Sequence, residues 1–237
     1  MRYGILSDIH GNLEALTACL SYLRDKADFY LCLGDIVGYG PNPNECIEEL
    51  KKIDRLIVIA GNHDLAVIGN RDIALFNPDL LPSIEWTNQI LTEDNKKYIA
   101  GLKWKIEREK ITAVHASPRD PINEYLFDTF AMKENLDFFS TEICFVGHTH
   151  IPSYYRLDKA VHLVGDIDID IQDKSIINVG SVGQPRDRDN RASCGIYNQE
   201  KAKVSIKRIE YDFIKTQSDM IKAGLPDFLI QRLAGGI

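Results

Sequence analysis

Short apolar runs alternate with helical periodicity through the first half of the chain. Residues 2 to 7 read as a buried strand, and after Gly11-Asn12 the leucines 13, 16, 20 and 23 recur at intervals of three and four, as one face of a helix does. Phe29 to Leu33 form the next strand, which ends at Gly34-Asp35, and Gly38, Gly40, Pro41 and Pro43 mark a loop. Asn44 is the expected cap of a second helix whose apolar face is Cys46, Ile47, Leu50 and Ile53, and Leu56 to Ala60 form a third strand. This β-α-β-α-β order predicts parallel strands with right-handed crossovers, so that the strand ends fall on one edge of the sheet.

Between residues 65 and 103 the pattern changes. Asn77-Pro78 and Leu81-Pro82 break it, and two helical stretches follow, Ile84 to Leu91 and, capped by Thr92, Glu93 to Leu102. A helical insert at about 65–103 within one domain spanning 1–237 is the expectation. Trp104 to Glu107 and Ile111 to His115 read as a hairpin, Met132, Leu136 and Phe139 keep helical spacing, and Ile143 to Val146 form a further strand. From Ser153 the period shifts towards two, most clearly over Asp166 to Ile171. Strands over 176–179, 195–198 and 204–209 and helices near 212–223 and 226–234 complete the reading.

Composition narrows the class. With 237 residues, 44% of them hydrophobic, the chain can bury a substantial core, which fits a single α/β domain. No run approaches the roughly 18 to 20 uncharged apolar residues that span a bilayer, and no signal-peptide pattern opens the chain, so a soluble cytoplasmic protein without a membrane partner is expected. The formal charge of −7, with basic residues not gathered into a block, argues against stable nucleic acid binding. An anionic substrate then needs local positive charge, such as bound metal. The five cysteines are scattered and form no Cys-x-x-Cys pair, which disfavours both a disulfide framework and a thiolate metal site.

The chemistry sits at the ends of the apolar runs. Asp8-Ile9-His10, Gly34-Asp35, Gly61-Asn62-His63-Asp64, Val114-His115 and Gly147-His148-Thr149-His150 each follow one, and together they hold five of the six histidines. Imidazole, carboxylate and amide oxygen without thiolate suit a divalent ion such as Mn, Fe, Co or Zn. The number of ligands points to two ions, with Asp35 the natural bridging carboxylate for a site that clamps a phosphoryl group and holds a hydroxide nucleophile. His63 can donate a proton near neutral pH, and Asp64 is placed to orient it.

As a set, these blocks resemble the five motifs of the calcineurin-like metallophosphoesterases, in the family's order, over residues 8 to 150. The resemblance implies that Asp8, His10, Asp35 and His150 hold one metal, that Asp35, Asn62, His115 and His148 hold the other, and that His63 acts on the leaving group. It also implies a four-layer α/β/β/α sandwich of two facing mixed sheets flanked by helices. Asp8 to Asn12 and Asn178 to Asp187 are most similar to a small bacterial and archaeal branch, some members of which hydrolyse dinucleoside polyphosphates or phosphodiesters.

The expected activity is therefore two-metal hydrolysis of a phosphodiester or phosphoanhydride, with a small-molecule phosphate ester or nucleotide, such as a dinucleoside polyphosphate, as substrate. A phosphomonoesterase or protein phosphatase is the alternative; a non-catalytic scaffold would not need His63 and a complete ligand set. Candidate substrate contacts are Asn12, Tyr39, which can stack on a base, and Arg119 and Arg186, because Arg grips phosphate bidentately. Asp166-x-Asp168-x-Asp170 looks like the start of a calcium loop, but Ile171 and Ile177 stand where that loop needs Gly and Glu. His162 belongs to no block and reads as a surface or strand residue.

Overall fold

The structure, a computed structural model, describes residues 1–71 and 76–237. Its first half follows the expected order: β1 (Arg2–Leu6), α1 (Leu13–Leu23), β2 (Phe29–Cys32), α2 (Pro43–Lys51) and β3 (Leu56–Val58) alternate, and the strands pair in parallel as β3-β2-β1. The helices are held by their apolar faces, Leu16, Cys19 and Leu23 on α1 and Cys46, Ile47 and Leu50 on α2, all buried in one cluster. Asn44 does not cap α2. Asn42 takes that position because Pro43, lacking an N–H, suits the first helical turn. The Asn44 side chain instead reaches the later helices, donating to Ile90 O at 2.9 Å and accepting from Thr92 N at 3.0 Å.

A short helix, α3 (Asn62–Val67), precedes and runs into the segment expected as a helical insert, which carries α4 (Leu81–Ile90) and α5 (Glu93–Ala100); its residues 72–75 lie outside the described residues. Thr92 caps α5 as expected, its hydroxyl accepting from Asn95 N at 3.2 Å. Then β4 (Lys105–Arg108) and β5 (Ile111–Val114) form the antiparallel hairpin, and α6 (Thr129–Asn135) runs on into a 3-10 turn before β6 (Ile143–Val146). Next come β7 (Ser153–Arg156), β8 (Lys159–His162), β9 (Ile167–Asp170), β10 (Ser175–Asn178), β11 (Ala192–Asn198) and β12 (Lys203–Ile209). The chain closes with α7 (Phe213–Lys222) and α8 (Asp227–Gly235). His162 is exposed at the end of β8, its Nδ1 3.0 Å from Ser153 Oγ. Asp166 and Asp168 pair with Lys207 and Lys203 at 3.3 and 3.0 Å, as surface carboxylates beside a strand do.

Two mixed sheets result, ordered β3-β2-β1-β11-β12-β9 and β4-β5-β6-β10-β7-β8. Period two decides their faces. In β1, Tyr3 and Ile5 look towards the second sheet while Leu6 packs under the helices; in β6, Phe145 looks towards the first sheet while Cys144 and Val146 pack under α6. The middle of the molecule is therefore the seam between sheets, where Phe145 lies 5.6 Å from Tyr197, and helices cover both outer faces. This is the four-layer α/β/β/α sandwich. No helix among the described residues is long and apolar enough to cross a membrane.

Candidate metal centre and active site

The strand ends that carry ligands belong to both sheets, so the edge is shared, not the property of one sheet as the strand order alone implied. Asp8 and His10 follow β1, Asp35 follows β2, Asn62 opens the helix after β3, His115 follows β5, and His148 and His150 follow β6. Five of these residues take left-handed backbone: Asp8 (φ 54°), His10 (50°), Asp35 (51°), His148 (67°) and His150 (63°). Such a conformation costs a non-glycine residue about 1–3 kcal/mol, so it persists only where neighbours impose it. Here the turns brace each other, Asp8 N donating to Gly34 O at 3.0 Å and His10 N to Asp35 O at 2.9 Å.

Two groups of ligand atoms form, each within 4.8 Å: Asp8, His10, Asp35 and His150, and Asp35, His115 and His148. All are buried. Asn62 joins the second group, its Oδ1 3.0 Å from His115 Nε2. Main-chain carbonyls set the imidazoles: Nδ1 of His10, His115 and His150 faces Val37 O, Leu33 O and Gln184 O at 3.2, 2.9 and 2.6 Å. With Nδ1 as donor, each Nε2 presents a lone pair inward. Those lone pairs crowd: His10 Nε2 lies 3.1 Å from His150 Nε2, and His115 Nε2 lies 3.2 Å from His148 Nδ1. Nitrogens so close, beside Asp35 Oδ2 at 3.6 Å from His10 and 3.3 Å from His115, are a donor set that a cation satisfies. The residues fit a divalent metal.

Electrostatics agree. Burial pushes the Asp8 carboxyl up to about 6, with His115 opposing. Burial also opposes charge on Asp35, yet the surrounding His115, His63 and His10 hold it well below the usual carboxylate range. His115, despite burial, is pushed up to about 9 by Asp35, whereas burial holds His10, His148 and His150 well below the usual imidazole range. His115 is thus the imidazole that Asp35 favours in its charged form, and a metal would displace that proton.

His63 reaches this cluster from α3. Its backbone N donates to Asp35 Oδ1 at 2.8 Å, and its ring packs 4.4 Å from Tyr39 and 4.9 Å from Phe76 between centroids. Burial lowers it to about 4 against the pull of Asp35, with Arg186 adding to the lowering. Gly38 makes the approach possible: at φ 110°, a Cβ there would lie 2.9 Å from His63 Nδ1. Asp64 does not orient the ring. Its Oδ1 accepts from Ile36 N at 2.9 Å and Val37 N at 3.1 Å, and its Oδ2 from Gly61 N at 2.9 Å, while His63 Nδ1 has no partner among the described residues. The carboxylate locks the loop after β2 to the start of α3. Asp64→Asn is expected to cost about 1.5–3 kcal/mol, because an amide cannot accept all three bonds without turning an N–H towards an N–H. Denaturant midpoints would show this; an unchanged midpoint would return Asp64 to a role at His63.

A cleft of about 450 Å³ opens beside the cluster, with Asn62, His63 and His148 in its wall. Two sequence candidates line it: Tyr39 and Arg186, whose Nη2 lies 3.3 Å from the Tyr39 hydroxyl. Two do not. Asn12 is buried as the cap of α1, accepting from Ala15 N at 3.2 Å and donating to Gly183 O at 2.9 Å, so its amide is spent on structure. Arg119 is held by Glu124 and, at 2.6 Å, by Glu134, away from the cleft wall. Sequence reasoning missed Arg71, Phe76, Tyr125, Phe228 and Arg232, all in the wall. Phe228 and Arg232 are spaced i, i+4 on α8, which puts them on one helix face, but nothing in the sequence says what that face meets.

The profile of the calcineurin-like phosphoesterase superfamily domain matches residues 1–202. The chain belongs to this superfamily. The uncharacterized protein MJ0912 of Methanocaldococcus jannaschii is 40% identical to this chain, over 97% of this chain and 96% of its own length. A crystal structure of a metallophosphoesterase from Sphaerobacter thermophilus is similar over 100% of this chain and 99% of that one, with 40% identity and a TM-score of 0.92. The fold recurs in PH1004 of Pyrococcus horikoshii, with a TM-score of 0.84 at 22% identity over 100% of this chain and 98% of that one. This calcineurin-like phosphoesterase thus carries a buried His/Asp cluster that could hold metal.

Proposed function

We propose that this phosphoesterase hydrolyses phosphodiester or phosphoanhydride bonds of a small nucleotide-type substrate, such as a dinucleoside polyphosphate, using two divalent cations drawn from Mn, Fe, Co and Zn. The observation that carries the reading is Asp35, buried between two groups of ligands with His63 beside it. Asp8, His10, Asp35 and His150 would hold one ion and Asp35, Asn62, His115 and His148 the other. Divalent cations there would supply positive charge to the phosphoryl oxygens and acidify a water. His63 stands at the cleft wall as the proton donor to the leaving oxygen, its ring fixed between Tyr39 and Phe76. Asp64 holds the main chain that positions it. The aromatic wall of the cleft, with Tyr39, Phe76, Tyr125 and Phe228, suits a substrate with a flat base, and Tyr125 already stacks on His148 at 3.8 Å between centroids. Five buried free cysteines support a reducing, cytoplasmic setting.

The test is release of p-nitrophenolate from bis-p-nitrophenyl phosphate and from p-nitrophenyl phosphate by the full chain, supplied in turn with each of the four metals. Turnover of the diester that a chelator abolishes is expected. Failure on both esters with every metal would refute the hydrolase reading; faster monoester turnover would move the activity to phosphomonoesters.

A further inference from the structure

The cleft beside the cluster has the opposite charge from the protein that carries it. The chain has a net charge of −7, yet the cleft wall contains Arg71, Arg186 and Arg232 and no Asp or Glu among the described residues. The three come from different parts of the chain: the segment after α3, the loop after β10, and α8. None pairs with a side-chain carboxylate among the described residues. Arg71 Nη1 reaches Ile122 O at 3.4 Å, Arg186 Nη2 reaches Gln184 Oε1 at 2.9 Å, and Arg232 Nε reaches the main-chain oxygen of Ile237 at 2.7 Å. Arg186 Nε is buried with no partner among the described residues. Three guanidinium groups gathered in one wall without direct carboxylate partners among the described residues, and offset at longer range where Asp35 and Asp120 act on Arg71, favour an anion that arrives there.

Local structure holds the three in place. Tyr39 packs with Leu229, Ile230 and Leu233 of α8, so the helix that carries Arg232 is fixed to the loop that touches His10 and His63. Arg186 lies 5.8 Å over the Tyr39 ring, and Arg71 lies 5.2 Å over the Phe76 ring. The cleft volume, about 450 Å³, falls within the range of small-molecule sites of roughly 300–1,000 Å³ and exceeds the needs of one phosphoryl group.

We infer that Arg71, Arg186 and Arg232 form a subsite for a second phosphate, so that the substrate carries one phosphate to the His/Asp cluster and another, a short link away, to the arginines. The inference rests on the phosphoesterase reading for the place of the first phosphate. It makes α8, which lies beyond residues 1–202 matched by the family profile, a determinant of specificity. Arg232 and Arg186 act on binding of the remote phosphate and leave the bond-breaking step to the cluster.

Calorimetric titration of the full chain with its metals compares methylenediphosphonate, which carries two phosphorus groups and is not hydrolysed, with methylphosphonate, which carries one. The diphosphonate is expected to bind about tenfold to hundredfold more tightly, the equivalent of one charged hydrogen-bond set. Arg232→Gln and Arg186→Gln should each remove most of that advantage, and Arg232→Lys, which keeps the charge but loses the fork, should retain part of it. Continued methylphosphonate binding by the variants shows that they are folded. An advantage that survives both Gln substitutions would overturn the subsite and credit the second phosphorus group to the metals. Equal weakening of both ligands would also overturn it, as a general field effect. Because the readout is binding, it is decided separately from turnover of bis-p-nitrophenyl phosphate.

Discussion

Asp35→Asn is expected to strip both proposed metal positions and abolish turnover. Asp35 is the one carboxylate in both ligand groups, with Oδ2 3.6 Å from His10 Nε2 and 3.3 Å from His115 Nε2 and with Oδ1 occupied by the His63 N–H. An amide in its place removes the negative charge on which both positions depend. It must also set an N–H₂ either against the His63 N–H or among the ring nitrogens. Losing an outer partner of a metal ligand typically costs about 10-fold to 100-fold in affinity or activity, and loss of a shared ligand should exceed that. Metal content after dialysis, measured beside turnover, checks it. Full occupancy with normal rates would end the assignment of Asp35 as the shared ligand.

How far the site was legible in the sequence follows from what each residue needs. The clustered histidines and aspartates could be found because buried strands read as apolar runs, and a histidine or aspartate directly after such a run sits at a strand end. Strand content was visible where polar and apolar residues alternate, as in Asp166 to Ile171, and less so in β7 and β8, whose Ser-Tyr-Tyr-Arg and Lys-Ala-Val-His do not alternate cleanly; the four layers came from the family resemblance. The helix α3 was missed because it has only six residues, too few to show a period. The failures among polar residues share another cause. Asn12, Asp64 and Arg119 carry groups suited to a substrate, but each is used by a neighbour: a helix end, three backbone N–H groups, and two glutamates. Residue type shows what a side chain can bond, whereas only the fold shows what it does bond. Arg71 and Arg232 fail in the opposite direction, because they look like ordinary solvated charges until the fold brings them into one wall.

His63→Ala is expected to keep metal content and slow hydrolysis by about 10²-fold to 10⁴-fold, the usual contribution of a general acid. The side chain is not among the clustered ligand atoms, so its removal leaves Asp35, His10 and His115 as they are; the backbone N–H that Asp35 accepts also survives the substitution. Burial keeps the free ring at about 4, against the pull of Asp35. The ring therefore starts neutral at pH 7, and the negative charge of a bound phosphate is what would bring a proton to it. Such an acid matters in proportion to the basicity of the leaving oxygen. The loss should be large for a nucleoside alkoxide and small for p-nitrophenolate, which departs without protonation. Asp64→Asn, by contrast, loosens the fold and should slow both leaving groups alike. Equal losses for both leaving groups in His63→Ala would mean that His63 only positions the phosphate, and loss of metal would make it a ligand after all.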